Sequence, residues 1–437
     1  MRACAAAAAF VAFATLAEAF TPAKVGRALL PVQRVSTLPD ATPVAAPAVA
    51  APKKNRLHVQ IGNAVYDLTG WRAKHPAGSH WIDRFHQKDA TDVIYAFHSD
   101  EAMQMFERLP RARGVEAVEP DATTLKFREL RAKLVADGWF KREWQHEAFL
   151  LVAQMTQFAV GVALARSGHV LAGTCVLGVA HTTCGWLAHD FIHGRGKWPS
   201  FMRYFGCLTV GLGAKWWSEK HNLHHAFTNL VGVDEDIMVE PALYLWSPTE
   251  ERDKPWRKFQ HFLWPVPFSA LFAMWRIDSI KTALKLKLWP EIVALSLHYV
   301  ALLALVGPGV ALGHIMLGGL LTATIVTVTH TAEEMLMDDE MSFVEAQFRT
   351  TRDAKCTDPL SEYVWGGMQY QLEHHLFPTL PRYKYARLVP VIKQWAAENG
   401  LEYRVTGAWK IIADNVNQLK RVAAQPTDAN SPSPNSA

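Results

Sequence analysis

The chain has 437 residues, room for two or three domains, and 50% of them are hydrophobic, with 16 tryptophans of the kind that settle at a membrane interface. A net charge of +4 is too small at this length to be the footprint of a nucleic-acid-binding protein. The five cysteines (Cys4, Cys175, Cys184, Cys207, Cys356) form no CxxC pair, which argues against a disulfide framework and against a zinc–thiolate site.

Residues 1–19, MRACAAAAAFVAFATLAEA, read as a signal-like leader: Arg2, an apolar run, then the small-x-small sequence Ala17-Glu18-Ala19. Residues 20–55 are rich in Ala, Pro, Val and Thr and set five basic residues against the single acid Asp40. That composition predicts a disordered transit segment or linker, extended at its end by Pro39, Pro43, Pro47 and Pro52. A leader followed by a basic, acid-poor tract is similar to the two-part presequences of algae with secondary plastids.

Residues 56–125 have the pattern of a small α+β domain. LHVQIGNAVYDLTGW predicts two short strands around the turn Gly62-Asn63. His75 sits in a His-Pro-Ala-Gly turn, and His98 follows the apolar stretch Val93–Phe97. Two imidazoles facing each other across an apolar slot can bind a haem iron axially, and six-coordinate iron moves electrons instead of binding oxygen. The stretch resembles cytochrome b5 in its YDLTGW strand, its HPxG loop, its DATD segment and its second histidine. The family loop is normally HPGG, and Ala77 replaces its first glycine. His80 and His86 are expected on the surface.

Residues 140–405 alternate apolar runs with histidine clusters. Runs at about 148–165, 170–188, 291–306 and 310–329 approach the length a spanning helix needs, roughly 20 residues. Short turns, Arg166-Ser167-Gly168-His169 and Gly307-Pro308-Gly309, pair them into two hairpins. Each hairpin crosses and returns, so the haem domain, the loop 189–291 and everything after 330 are expected on one face. Phe262–Trp275 is apolar but carries Pro265 and Pro267, and is expected to lie in the interface. The tail 424–437 is disordered by composition.

On that one face lie three clusters: His189-Asp190-Phe191-Ile192-His193, His221-Asn222-Leu223-His224-His225, and Gln371-Leu372-Glu373-His374-His375. Histidines three and four apart on a helix point to one side. His330, at the end of the fourth run, shares the face. Imidazole clusters suit iron, copper, zinc or nickel, and so many are too many for one metal. A haem that delivers electrons is of no use beside redox-silent zinc, so iron is expected.

GWLAHDFIH, WWSEKHNLHH and GGMQYQLEHHLFPTLPR resemble the membrane fatty acyl desaturase family, and more narrowly its front-end members with an N-terminal cytochrome b5 domain. Gln371, in place of the first histidine of the third box, is that subgroup's mark. The resemblance implies a non-haem di-iron centre held by His189, His193, His221, His224, His225, His374 and His375, with His330 a further ligand by position. Gln371 stands where relatives place a ligand. Asp190 is expected to orient a box-one imidazole, with a helix-end surface acid the alternative, and Asp234-Glu235-Asp236 to be a solvated turn, with an outer partner of the ligands the alternative. The implied fold is a haem-binding α+β domain followed by an all-α membrane domain of four spans capped by the histidine boxes. The implied reaction uses O2, two irons, haem b at His75 and His98, and NADH or NADPH through a separate cytochrome b5 reductase-type donor. It places a cis double bond between an existing one and the carboxyl end of an acyl chain. A sphingolipid long-chain-base desaturase or a hydroxylase would use the same boxes. A membrane-anchored haem electron carrier would leave them idle, and a di-zinc hydrolase would work without oxygen. The endoplasmic reticulum is the expected location, a plastid membrane the alternative.

Overall fold

A computed structural model describes residues 56–433. The leader and the linker fall outside the described residues, as do the last four residues of the tail.

The haem-type domain opens with the hairpin β1 (His58–Ile61) and β2 (Ala64–Asp67), antiparallel with His58 opposite Asp67 and Ile61 opposite Ala64. Gly62 makes the turn at φ 60, which is costly for a residue with a side chain. Three short helices follow, α1 (Ser79–Arg84), α2 (Thr91–Phe97) and α3 (Asp100–Phe106). Leu57, Val59, Ile61, Tyr66, Leu68, Ile82, Ile94 and Phe106 form their common core. His80 is exposed as expected, but His86 is half-buried and its Nδ1 accepts from the His58 amide at 3.2 Å.

Helix α4 (Ala122–Ala136), capped by the Asp121 carboxylate on the Thr124 amide, ties this domain to the rest. Arg128 on its outer face reaches Asp89 and Asp92 of the haem-type domain at 2.7 and 2.8 Å. Its inner face, Phe127, Leu130 and Leu134, packs against Phe348, Leu376, Phe377 and Leu388 of the cap.

The apolar runs become α5 (Trp144–Arg166), α6 (Val170–Ile192) and, after α7 (Lys197–Val210), α8 (Ala214–Ala226) and α9 (Pro265–Lys285), the long α10 (Trp289–Val328). Of the described helices, α5, α6 and α10 are long and apolar enough to cross a membrane. At 1.5 Å per residue, the 23 residues of α5 and of α6 reach about 34 Å, against a hydrocarbon core of about 30 Å. Helix α10 is two helices joined at Gly307, whose φ 74 and ψ 169 interrupt the spiral just before Pro308. The Arg166 guanidinium, at the end of α5, donates to the Leu305 carbonyl at 3.1 Å, so the α5–α6 turn and the Gly307 break lie together. Small residues let the helices touch: a Cβ on Gly173 would lie 2.6 Å from the Ala165 nitrogen, and one on Gly178 2.6 Å from Leu317. Phe149, Val152, Leu171 and Val300 face outward on these helices. Pro265 and Pro267 do not break the segment around them. They stand in the first turn of α9, where a missing amide hydrogen costs nothing.

The cap is built from α11 (Phe343–Thr350), α12 (Pro359–Trp365), α13 (Gln371–Leu376), α14 (Tyr385–Glu398) and α15 (Ala408–Ala424), with the parallel pair β3 (Asp353–Lys355) and β4 (Val405–Gly407). The tail beyond Ala424 makes contacts as far as Pro432: the Trp246 indole donates to its carbonyl at 3.2 Å, and Arg252 reaches Ser431.

Candidate metal centre and haem slot

Each box rides on a helix end. His189 stands in the last turn of α6 and His193 caps it. His221, His224 and His225 line one side of α8 near its C-terminus. Gln371, His374 and His375 share a face of the short α13, which is pinned where the Leu372 amide donates to Asp353 Oδ1 at 2.9 Å. His330 follows α10 by two residues.

These elements bring their imidazoles into two adjoining groups. His189, His193, His221, His225 and His374 form one, and His224, His330 and His375 the other; within each, the ligand atoms lie within 4.8 Å of one another. The two groups meet where the rings of His225 and His375 stack at 4.0 Å. In the first group the His189 and His221 Nε2 atoms are 2.5 Å apart, and His225 Nε2 is 3.2 Å from His221 Nε2. Gln371 is buried one turn before His374.

A surrounding set of hydrogen bonds fixes the rings. A carbonyl oxygen can only accept, so His330 Nδ1 carries the proton it donates to Thr350 at 3.0 Å. His375 Nδ1 donates to Gln347 Oε1 at 2.9 Å, and the Gln347 amide is oriented by its own donation to the His225 carbonyl at 3.0 Å. His374 Nδ1 lies 3.1 Å from the Tyr385 hydroxyl, which donates to the Phe377 carbonyl. His224 Nδ1 is 2.8 Å from Asp234, and His193 Nδ1 is 2.7 Å from Asn222 Oδ1. With Nδ1 engaged in these five rings, Nε2 is left as the lone-pair donor, and among the described residues the buried Nε2 atoms of His193 and His374 have no partner, while in His225 it is Nδ1 that has none. That is the donor set an imidazole-preferring metal needs, with the outer hydrogen bonds that orient such ligands.

Burial keeps most of these rings neutral. It drives His374 and His375 well below the usual histidine range, helped by their histidine neighbours, and pushes His330 down to about 3. His224 is the exception: burial opposes its charge, but Asp234 and Asp236 outweigh it and raise the ring above its ordinary value.

Two expectations are corrected here. Asp190 does not orient a box-one ring; its carboxylate accepts from Arg382 Nε at 2.9 Å, tying box one to the segment after box three. Asp234 is not a solvated turn residue but is fully buried against His224, and its Oδ2 also accepts from the Asn229 amide at 2.8 Å. Tyr385 and Gln347 are ring-orienting residues that sequence reading missed. Neither belongs to a motif, and only the folded cap brings them near the boxes.

The haem-type domain meets this centre directly. His75 and His98 face each other across an apolar cavity of about 300 Å³, with ring centroids 6.2 Å apart. Leu68, Trp71, Phe85, Ile94 and Phe106 are among its walls. His75 Nδ1 donates to the Gly78 carbonyl at 3.0 Å and His98 Nδ1 to that of Ile94 at 3.1 Å, so both Nε2 atoms are free for an axial bond. Burial lowers both rings, His98 to about 4. The cavity's polarity and its opposed imidazoles fit a haem. Its far wall includes Asn222 of box two.

The fold and site define an apolar, helical membrane protein with two adjoining all-imidazole clusters and a b5-like domain docked beside them. Comparison with known proteins places it more closely. The fatty acid desaturase family matches residues 165–407, and the cytochrome b5-like heme/steroid binding domain matches residues 48–130. An acyl-lipid (9-3)-desaturase of Physcomitrium patens is 30% identical over 404 residues, covering 84% of this chain and 75% of its own. The delta(6)-fatty-acid desaturase fat-3 of Caenorhabditis elegans is 27% identical (80% and 92% covered), and an acyl-lipid 8-desaturase of Rebecca salina 28% (83% and 91%). The chain belongs to the fatty acid desaturase family, and it is an oxidoreductase with a fused cytochrome b5-like domain.

Proposed function

We propose that this enzyme is a front-end desaturase that places a cis double bond in a polyunsaturated acyl chain, between an existing double bond and the carboxyl end. The observation that carries the reading is the convergence of eight imidazoles from three boxes and His330, beside a haem slot. Two irons are held by His189, His193, His221, His225 and His374 on one side, and by His224, His330 and His375 on the other. Gln371, buried one turn before His374 and His375, would add a weaker oxygen donor, directly or through water. Haem b is held by His75 and His98.

When bound, the irons supply the oxygen activation that a carbon–hydrogen bond remote from any acidifying group requires. This chain's residues keep most of the imidazoles neutral, and Gln347, Tyr385, Thr350 and Asn222 hold His375, His374, His330 and His193 with Nε2 as the free donor. Asp234 strengthens His224 as a donor. Reducing dioxygen to two waters takes four electrons; the acyl chain supplies two. A haem held by His75 and His98 would relay the other two, drawn from NADH or NADPH by a separate reductase. Four membrane crossings in two hairpins, with α10 folding back at Gly307, keep the boxes, the haem domain and the cap on one face; the contact between Arg166 and Leu305 supports this. The endoplasmic reticulum is the proposed location, and a plastid signal from a fluorescent fusion of residues 1–55 would overturn it.

The test is expression in yeast fed with candidate polyunsaturated fatty acids, with double-bond positions read by mass spectrometry. New carboxyl-side double bonds support the reading. Altered long-chain bases, hydroxylated products, or no lipid change in cells holding the iron- and haem-loaded protein would overturn it.

A further inference from the structure

The haem slot and the histidine clusters share a wall, and the side chains of Phe97 and Asn222 lie in it. Phe97 precedes the haem-side ligand His98, lines the slot and is buried. The other side of its ring faces the metal centre, 5.7 Å from the His193 ring and 6.3 Å from that of His225, centroid to centroid. Asn222 also lines the slot, while its Oδ1 accepts from His193 Nδ1 at 2.7 Å. Both contacts therefore end on His193, whose Nε2 is one of the unpartnered buried nitrogens.

The docking that creates this wall is close-packed. Val93, Ala96 and Phe97 form a cluster with Ala226 of α8 and Phe343 of α11. Phe227 receives Trp81, at 6.3 Å between centroids, and Phe85, at 5.5 Å, with the Arg84 guanidinium 5.1 Å from its ring centroid. Lys88 and Asp339 pair at 2.5 Å across the same junction. An electron crossing packed or bonded atoms meets a lower barrier than one crossing a void. Phe97 and Asn222 line the slot and meet the His193 ring, whereas Arg195, also on the slot, donates to the His193 backbone carbonyl at 2.9 Å.

We propose that Phe97 and Asn222 are the bridging residues that couple the haem slot to the metal centre through His193. The proposal rests on the desaturase reading above. One electron passes at a time: haem iron goes from ferrous to ferric as one non-haem iron goes from ferric to ferrous, and no atom or proton need cross. The reductant is the pyridine nucleotide, acting through its reductase. Neither side chain reacts, so both are positioning residues.

The test uses the full chain loaded with haem and iron, without oxygen or lipid. A photogenerated one-electron donor, a deazaflavin radical, reduces the haem, and its absorbance reports the return to the ferric form. In the parent this return is expected to depend on bound iron. Phe97→Leu and Asn222→Ala should each slow it severalfold. The haem spectrum and haem midpoint potential should stay as in the parent in both variants and iron content in Phe97→Leu, whereas Asn222→Ala, which also frees His193 Nδ1, is compared with the parent at equal bound iron. Parent-like rates in both variants would overturn the bridge while yeast lipid profiles still upheld the desaturase reading. Slowing in Phe97→Leu that follows iron loss or a changed haem spectrum, or slowing in Asn222→Ala that vanishes at equal bound iron, would also overturn it, by showing that the two side chains only support the fold. A parent that makes no desaturated product in yeast would instead sink the reading beneath the proposal.

Discussion

At the scale of single residues, the centre depends on uncharged rings held in one tautomer. Replacing His375 with Ala removes a donor from the smaller group, which has only three histidines. Desaturated product should disappear and iron per chain should fall, while the haem spectrum persists. Asp234→Ala leaves every imidazole in place but frees His224 Nδ1; iron affinity should drop by roughly ten- to a hundredfold, read by metal analysis after graded chelation. The haem side carries a pH signature. Burial lowers the folded His98 ring to about 4, against 6.5 for a free histidine, so between those values only the unfolded ring gains a proton. The stability it contributes is full above about 6.5 and is lost as the pH falls towards 4, so haem retention should decline across that window. A spectroscopic acid titration checks this. The histidines were legible in the sequence because imidazoles three and four apart on a helix declare a shared side. Their outer partners were not. Gln347 and Tyr385 reach the boxes only through the folded cap, and nothing marks Asp234 off from its acidic neighbours Glu235 and Asp236 until burial does.

At the scale of elements, apolar runs and Gly-Pro punctuation were enough to place α5, α6 and both arms of α10. What they could not give was how tightly the helices approach, which is a matter of facing surfaces. Gly173 shows the consequence. A side chain there would strike the backbone of Ala165, so Gly173→Leu should destabilise the first hairpin by about 1–3 kcal/mol or abolish folding, as seen in thermal unfolding of purified protein. The two prolines of α9 teach a related lesson. Their ring geometry forbids the middle of a helix and suits its first turn, so the same residues that read as breakers mark a beginning.

At the scale of the whole molecule, the b5-like domain is seated on the histidine cap by apolar rings, an ion pair and the Arg128 clamp. Its existence was plain from its loop and ligand pattern, but its seat was not, because Trp81, Phe85 and Phe227 belong to no motif. Phe227→Ala should loosen that seat, seen as faster protease cleavage between residues 107 and 120 with the haem spectrum unchanged. A tethered, seated donor also changes the order of the reaction. Delivery from the haem becomes a first-order event within one polypeptide, so thinning the enzyme out across excess lipid should leave turnover per molecule unchanged whenever reductase is saturating. Only the encounter with reductase remains a diffusional, second-order step, and it alone should respond to crowding.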